Sequence, residues 1–329
     1  MDNVNILGTV PLDDELVKQI KGIDKRIQIT NILDLIMSEA KDTIAKEKLD
    51  TLLADADILY GFVIPPNIVA RAPKLKWLQM TSAGVDMHLT DEIIKSTITM
   101  TNVSGLHAIP VAEFVLCEML MFAKGAPQCF QMKQDKQWKY LSFVPLVLHS
   151  KTVGIVGLGN IGREIARLSK AFGMRVLGVD VSVGRGVRNV DTVFPREQLS
   201  KMLAASDFVV LALPLTAETR KIIGEAELRS MKPTAYLINT SRGTIVDEVA
   251  LIQALTENRI KGAGLDVFVE EPLPKTSPIW DLPNVIFSPH HAGGMEGYIE
   301  QATDMFCENL KLYLAGKKLL RVVDKEKGF

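Results

Sequence analysis

The sequence predicts an α/β protein of two domains, each built on a parallel sheet with helices on both faces. Three observations carry that expectation. The chain has 329 residues, which at roughly 150 residues per domain is enough for two hydrophobic cores. Short β-branched runs alternate with amphipathic segments from the first residues onward, the order that builds a parallel sheet. The alternation then restarts near residue 152, where a glycine-rich turn joins an apolar run to a helical pattern.

In chain order, Val4 to Val10, Arg26 to Ile32, Ile58 to Val63, Lys76 to Thr81 and Ile98 to Val103 read as strands. Between them, Asp13 to Ile20 and Ser38 to Leu53 carry apolar residues at helical spacing behind acidic starts. Thr90 to Lys95 opens on a Thr cap with Asp91 and Glu92 behind it, charges that suit a helix N-terminus. A long helix is expected from Ile109 to Phe122, with Pro110 in its first turn, bridging the two domains. The second series runs strand Thr152 to Gly157, helix Ile161 to Phe172, strand Arg175 to Asp180, helix Arg196 to Ala205 and strand Phe208 to Leu213. It continues with strand Ala235 to Thr240, helix Glu248 to Glu257, and strands Gly264 to Phe268 and Val285 to Ser288, before a closing helix from Glu296 to Leu314.

Composition excludes several classes. Hydrophobic residues are 47% and charged residues 23%, with mean hydropathy +0.15, the balance of a globular chain and not of a disordered one. Lys plus Arg number 38 against 39 Asp plus Glu, so the net charge of -1 gives no global pull toward nucleic acid or anionic membrane. Cys117, Cys129 and Cys307 show neither a CxxC pair nor metal-binding spacing, which implies no metal site and a reducing, cytoplasmic setting. The start, MDNVNILGTV, lacks a basic stretch followed by an apolar one, and no apolar run reaches the ~18 residues of a membrane span. A soluble, unexported protein is expected.

The segment TVGIVGLGNIG puts Gly157, Gly159 and Gly162 in G-x-G-x-x-G register between strand and helix, the context that makes this motif a dinucleotide site. Gly157 permits the tight turn, Gly159 the approach of a pyrophosphate, and Gly162 the packing of helix on strand, while the helix N-terminus faces the phosphates. Asp180 lies 180 − 162 = 18 residues past the last glycine, close to the ~20 expected of an acid that binds ribose hydroxyls. That favours NAD over NADP, because a carboxylate repels a 2'-phosphate, although Arg185 and Arg188 follow closely.

Three further segments set polar residues at strand ends, where open α/β sheets bind ligands. They are INTSRGTIVDE with Arg242, GAGLDVFVEEPLP with Asp266 and Glu271, and NVIFSPHHAGG with His290 and His291. An arginine, a carboxylate and a histidine so placed can bind an anion, orient an imidazole and move a proton. Each residue alone also has a plainer reading. Arg242 can be a surface ion-pair residue, His290 a turn histidine and Asp266 a strand-end cap, while His107 either caps a helix or lines a substrate cleft.

GLGNIG, NTSRG, LDVFVEEP and SPHHAGG, in that order, make the chain resemble the D-isomer-specific 2-hydroxyacid dehydrogenase family, which includes glyoxylate/hydroxypyruvate reductases and phosphoglycerate dehydrogenases. The likeness extends from near Ala54 to near Ala315. It implies two Rossmann-like domains: a flavodoxin-like substrate domain split between residues 1–102 and 293–329, and an inserted NAD-binding domain over residues 103–292. A cleft that closes to exclude water, with hinges near Val103 and Ala292, follows from the same resemblance.

Carried over by position, His290 is similar to the family's proton donor, Glu271, just before Pro272, to its paired acid, and Arg242 to the substrate-binding arginine. Glu270 is the competing carboxylate, and alternation points His291 elsewhere. Backbone amides of Ala83, Gly84 and Val85 in TSAGVD resemble the loop that holds the substrate carboxylate, and Asp266 the residue that contacts the nicotinamide amide. The implied cofactor set is Gly157, Gly159, Asn160, Ile161, Gly162, Asp180, Pro214, Thr219, Thr240, Ser241, Arg242, Asp266, His290 and Gly293.

The resemblance further implies NAD-dependent reduction of a small 2-oxo acid and a homodimer joined through the cofactor domains. Trp138 then lies near the partner's substrate cleft, or else packs on its own domain. Two other readings of the fold are formate- or phosphite-type oxidation and an NAD-sensing protein like the C-terminal-binding corepressors. The formate enzymes carry glutamine where Glu271 stands, and the corepressors have partner-binding extensions, whereas this chain stops soon after RVVDKEKGF.

Overall fold

The computed structural model describes residues 3–140, 142–180 and 186–329. They form two compact units, Met1–Leu106 with Met295–Phe329, and His107–Gly294. In the first unit the strands are β1 (Val4–Thr9), β2 (Ile27–Asn31), β3 (Ile58–Gly61), β4 (Trp77–Met80) and β5 (Thr99–Thr101). They pair in parallel in the order β2-β1-β3-β4-β5, which is the flavodoxin-like arrangement. Helix α1 (Asp14–Lys21) is capped by Asp13, whose carboxylate accepts from Leu16 N.

The helix expected from Ser38 to Leu53 starts later, as α3 (Thr43–Ala54), where Asp42 accepts from the N–H groups of Ile44 and Ala45, and the short α2 (Leu33–Ser38) before it lies outside the expectation. A competent cap in mid-pattern outweighs apolar periodicity. The one-turn α4 (Ile68–Arg71) has no sequence signature, whereas α5 (Asp91–Lys95) takes the expected cap, with Thr90 Oγ1 accepting from Ile93 N.

The second unit opens with α6 (Ala108–Ala123) and α7 (Ala126–Gln134). The whole of α6 falls within this unit, so it is the unit's first element and not a connector. There follow β6 (Thr152–Val156), α8 (Asn160–Ala171), β7 (Arg175–Val179), β8 (Thr192–Phe194), α9 (Leu199–Ala205), β9 (Phe208–Leu211), α10 (Glu225–Ser230) and β10 (Tyr236–Asn239). α11 (Glu248–Thr256), β11 (Gly262–Leu265) and β12 (Val285–Phe287) complete it. Strand β8 and helix α10 are absent from the sequence expectation, being three and six residues long. Arg196 to Ala205 begins as a 3-10 turn, Arg196–Gln198, before α9.

The parallel sheet has the order β12-β11-β10-β9-β6-β7-β8, the Rossmann order with an added edge strand, and the chain switches from one side of β6 to the other between β8 and β9. One face packs Leu177, Val209, Leu211 and Leu237 under α9, α10 and α11. The other packs Val153, Ile155, Val210 and Ile238 under α6 and α8. Strand β11 stops at Leu265, short of the expected Phe268, because Asp266 turns its side chain to the chain ends beyond the sheet.

The closing helix α12 (Tyr298–Leu314) returns to the first unit, where Phe306 stacks on Tyr60 at 4.2 Å and Thr303 Oγ1 meets the Tyr60 hydroxyl at 2.8 Å. Deeper in, Trp77 Nε1 donates to Thr101 Oγ1, which donates to Gln79 Oε1, and Asn309 Nδ2 donates to the same oxygen. Asn309 also holds both the N–H and the carbonyl of Leu320. Among the described residues no helix is long and apolar enough to cross a membrane.

Candidate active site

The glycine turn leaves β6 with Gly157 at φ +97. A Cβ there would lie 2.3 Å from the Ala212 carbonyl oxygen, and one on Gly162 would lie 1.9 Å from that of Gly157. Both glycines are therefore required by the protein's own packing. Gly159, the N-cap of α8, is different, since a Cβ there would meet nothing within 4 Å. The chain keeps this backbone bare beside open space, at a helix N-terminus, which fits a phosphate group. Asp180, just past β7, accepts from Leu158 N at 2.7 Å and so ties the turn to the next strand end. Asn160 and Ile161 form the first turn of α8. Arg185 lies outside the described residues.

Next along the sheet edge, Thr219 Oγ1 donates to the Pro214 carbonyl. Beyond β10, Asn239 Oδ1 accepts from Ser241 N and its Nδ2 donates to the Arg242 carbonyl, while Ser241 Oγ donates to Leu211 O and accepts from Leu213 N. Within this clamp the Thr240 hydroxyl is buried, and Arg242 Nη1 lies on the Ser241 carbonyl at 2.8 Å. Gly243 then packs on the neighbouring turn so closely that a Cβ would lie 1.9 Å from the Phe268 carbonyl carbon.

Asp266 organises the next turn. Buried to 1% exposure, its Oδ1 accepts from Ser288 Oγ, His291 N and Ala292 N, while its carbonyl accepts from His290 N. His290 is thereby held at φ +54, a left-handed conformation unusual for a side chain of its size. Its Nδ1 lies 2.7 Å from Glu271 Oε2, and Glu271 Oε1 accepts from Phe268 N. Glu270 is exposed and not in that contact, and His291 turns its ring edge-on to Phe114.

Helix α6 backs this turn. His107 sits at its N-cap position, but its side chain does not cap the helix. The ring lies where a Cβ on Gly293 would be 2.7 Å from Cδ2, and burial lowers its pKa. Further along α6, Glu118 is buried against Gly264, and burial together with the Asp266 charge raises its pKa well above the usual carboxylate value.

In the first unit, Ala83, Gly84 and Val85 follow β4. Asn102 Nδ2 donates to the Ala83 carbonyl, its Oδ1 accepts from Ser104 N, and the Tyr298 hydroxyl donates to the Thr81 carbonyl. Asn102, Asn239, Ser288 and Glu118 are the supporting residues that sequence reasoning missed. Two of them stood within motifs, Asn239 at the head of NTSRG and Ser288 beside the His pair in SPHH.

A glycine turn at the switch point of a Rossmann sheet, with an acid-paired histidine on a neighbouring strand end, defines an oxidoreductase of the dinucleotide-dependent class. Residues 116–292 match the family described as D-isomer specific 2-hydroxyacid dehydrogenase, NAD binding domain. A glyoxylate reductase of Korarchaeum cryptofilum is 35% identical over 89% of this chain and 90% of its own length. The D-3-phosphoglycerate dehydrogenase of Methanocaldococcus jannaschii is 32% identical over 98% of this chain, which spans 59% of that protein's length. The crystal structure of a D-isomer specific 2-hydroxyacid dehydrogenase from Xanthobacter autotrophicus, in complex with NADPH and MES, superposes with a TM-score of 0.84 at 27% identity and covers both chains fully. The chain belongs to the D-isomer-specific 2-hydroxyacid dehydrogenase family.

Glu118 gives a stability prediction with a definite sign. Its folded-state pKa is raised, so the unfolded chain releases this proton above the ordinary value of 4.5 while the folded chain keeps it. The stability it confers is present below that value and lost as pH rises through the window above it. Glu118→Gln removes the loss, so its Tm should exceed that of the parent near neutral pH, by ~2–4 °C per kcal/mol regained. The difference should shrink below pH 4.5. A gap that stays constant across that range in calorimetric scans would contradict a neutral Glu118.

Proposed function

We propose that the protein reduces a small 2-oxo acid to the D-2-hydroxy acid, and runs the reverse oxidation, with NAD(H) as cofactor. The observation that carries this reading is the 2.7 Å contact between His290 Nδ1 and Glu271 Oε2 on turns fixed at neighbouring strand ends. The nicotinamide cofactor supplies or accepts the hydride when bound. With Nδ1 engaged by Glu271, His290 Nε2 is the nitrogen that gives a proton to the substrate carbonyl oxygen in reduction and takes it back in oxidation. Glu271 fixes the ring and faces its positive charge. Arg242 neutralises the substrate carboxylate and polarises the carbonyl, and the backbone N–H groups of Ala83, Gly84 and Val85 bind the same carboxylate.

For the cofactor, Gly157, Gly159, Asn160, Ile161 and Gly162 take the pyrophosphate and Asp180 the ribose. Pro214, Thr219, Thr240, Ser241, Asp266 and Gly293 complete the site, with Asp266 accepting from the nicotinamide amide. Asp180 supports NAD over NADP through charge repulsion, a preference worth testing because the Xanthobacter relative holds NADPH. The three free cysteines are in keeping with a reducing cytoplasm.

A homodimer is proposed on the exposed apolar surface of the second unit. Leu116, Leu120, Met121 and Phe172 line a shallow groove of α6 and α8, and Phe130, Trp138 and Tyr140 stand out beyond it, Trp138 at 95% exposure. Trp138 is thus free of its own domain, which supports a place near the partner's substrate cleft.

Glyoxylate, hydroxypyruvate, pyruvate and bulkier 2-oxo acids, each assayed with NADH and with NADPH, test the activity directly; binding of NADH without turnover of any would point to a sensor. His290→Gln should cut kcat for the best substrate by about 10² to 10⁴ while leaving the NADH Kd nearly unchanged, and near-parental kcat would remove His290 from the chemistry. Asp180→Ala should weaken NADH far more than NADPH in binding titrations; a parent enzyme that already prefers NADPH would overturn the argument from Asp180. Sedimentation velocity should find a particle of two chains, and a lone 36.3 kDa species at micromolar concentration would exclude the stable dimer.

A further inference from the structure

The proposed chemistry leaves one buried acid of the second unit without a task. Glu118 is 1% exposed, and neither carboxyl oxygen has a hydrogen-bond partner among the described residues. A polar group in that state calls for a reason. Its setting is specific. Helix α6 directs His107, Phe114 and Glu118 at one flank of the sheet edge: His107 against Gly293, Phe114 edge-on to His291 at 5.8 Å, and Glu118 against Gly264.

A Cβ on Gly264 would lie 2.5 Å from Glu118 Oε2, so this strand position makes room for the carboxyl. Asp266 follows two residues later, just beyond the end of β11, and its charge acts on Glu118. Its Oδ1 is saturated by Ser288 Oγ, His291 N and Ala292 N, whereas Oδ2 receives only a share of the Ala292 N–H, at 3.1 Å. Of two neighbouring buried acids, the one that already collects these donors keeps the charge, and the other stays protonated. The raised pKa of Glu118 agrees with that assignment.

We propose that Glu118 is a positioning residue, a neutral carboxylic acid whose O–H is available to Asp266 Oδ2 and steadies that carboxylate for the nicotinamide end of the cofactor. This rests on the role given above to Asp266. The proton stays on Glu118 throughout, so the group acts as a donor and not as an acid in the reaction. Glutamine preserves a donor at this place, whereas leucine preserves only volume.

The experiment compares the full-length parent, E118Q and E118L for NADH binding by fluorescence quenching, alongside infrared spectra of the carboxylic-acid stretch. The parent should show a protonated-carboxyl band at neutral pH that is missing in E118Q and moves on addition of NADH. E118Q should bind NADH within about threefold of the parent and E118L about tenfold more weakly, the effect of one lost hydrogen bond. Parental NADH affinity in E118L, or an unchanged band in E118Q, overturns the positioning role alone. If E118L does not fold, the band and the E118Q affinity still decide. A parent that binds no NADH overturns the cofactor reading itself.

Discussion

The second unit's candidate site depends on one buried carboxylate. Asp266 takes the Ser288 hydroxyl and the N–H groups of His291 and Ala292 on its side chain, and the N–H of His290 on its carbonyl. A chain end leaving a parallel sheet has N–H groups with no further strand to pair with, and burying them unpaired would be costly. Asp266 satisfies them in one place and, in doing so, imposes the left-handed backbone of His290. The position of the imidazole against Glu271 follows from this constraint and not from any direct grip on the ring's far side. The plain reading of Asp266 as a strand-end cap and its proposed contact with the cofactor are thus compatible, because the capping oxygen and the less occupied one are different atoms.

Much of this was legible in the sequence because the devices involved are local. Glycine is dictated at 157 and 162 because a Cβ would lie 2.3 and 1.9 Å from backbone oxygens, so no other residue type serves and the motif must show. Helix starts at Asp13 and Thr90 were readable for the same reason, since a cap sits within three residues of the N–H it satisfies. Asp42 is an equally good cap, but it lies inside an apolar period that argues for an earlier start, and two local signals then conflict.

What was not legible is long-range. Asn102 acts on Ala83, 19 positions away, and Glu118 acts near Gly264 and Asp266, on a strand far along the chain. A glutamate in this largely apolar helix looks like a surface residue, as Glu113 is, and only the fold turns Glu118 inward. Likewise β8 and α10 are too short to carry a period, and their place in the sheet and its covering layer is set by neighbours.

The packing of Gly243 on the Phe268 peptide has a meaning for how such proteins can diversify. With a Cβ excluded at 1.9 Å, the Arg242 turn and the Glu271 turn are pressed backbone to backbone and share one surface. Neither can be lengthened or replaced by a foreign loop without moving the other, so anyone who grafts one of these turns must graft both.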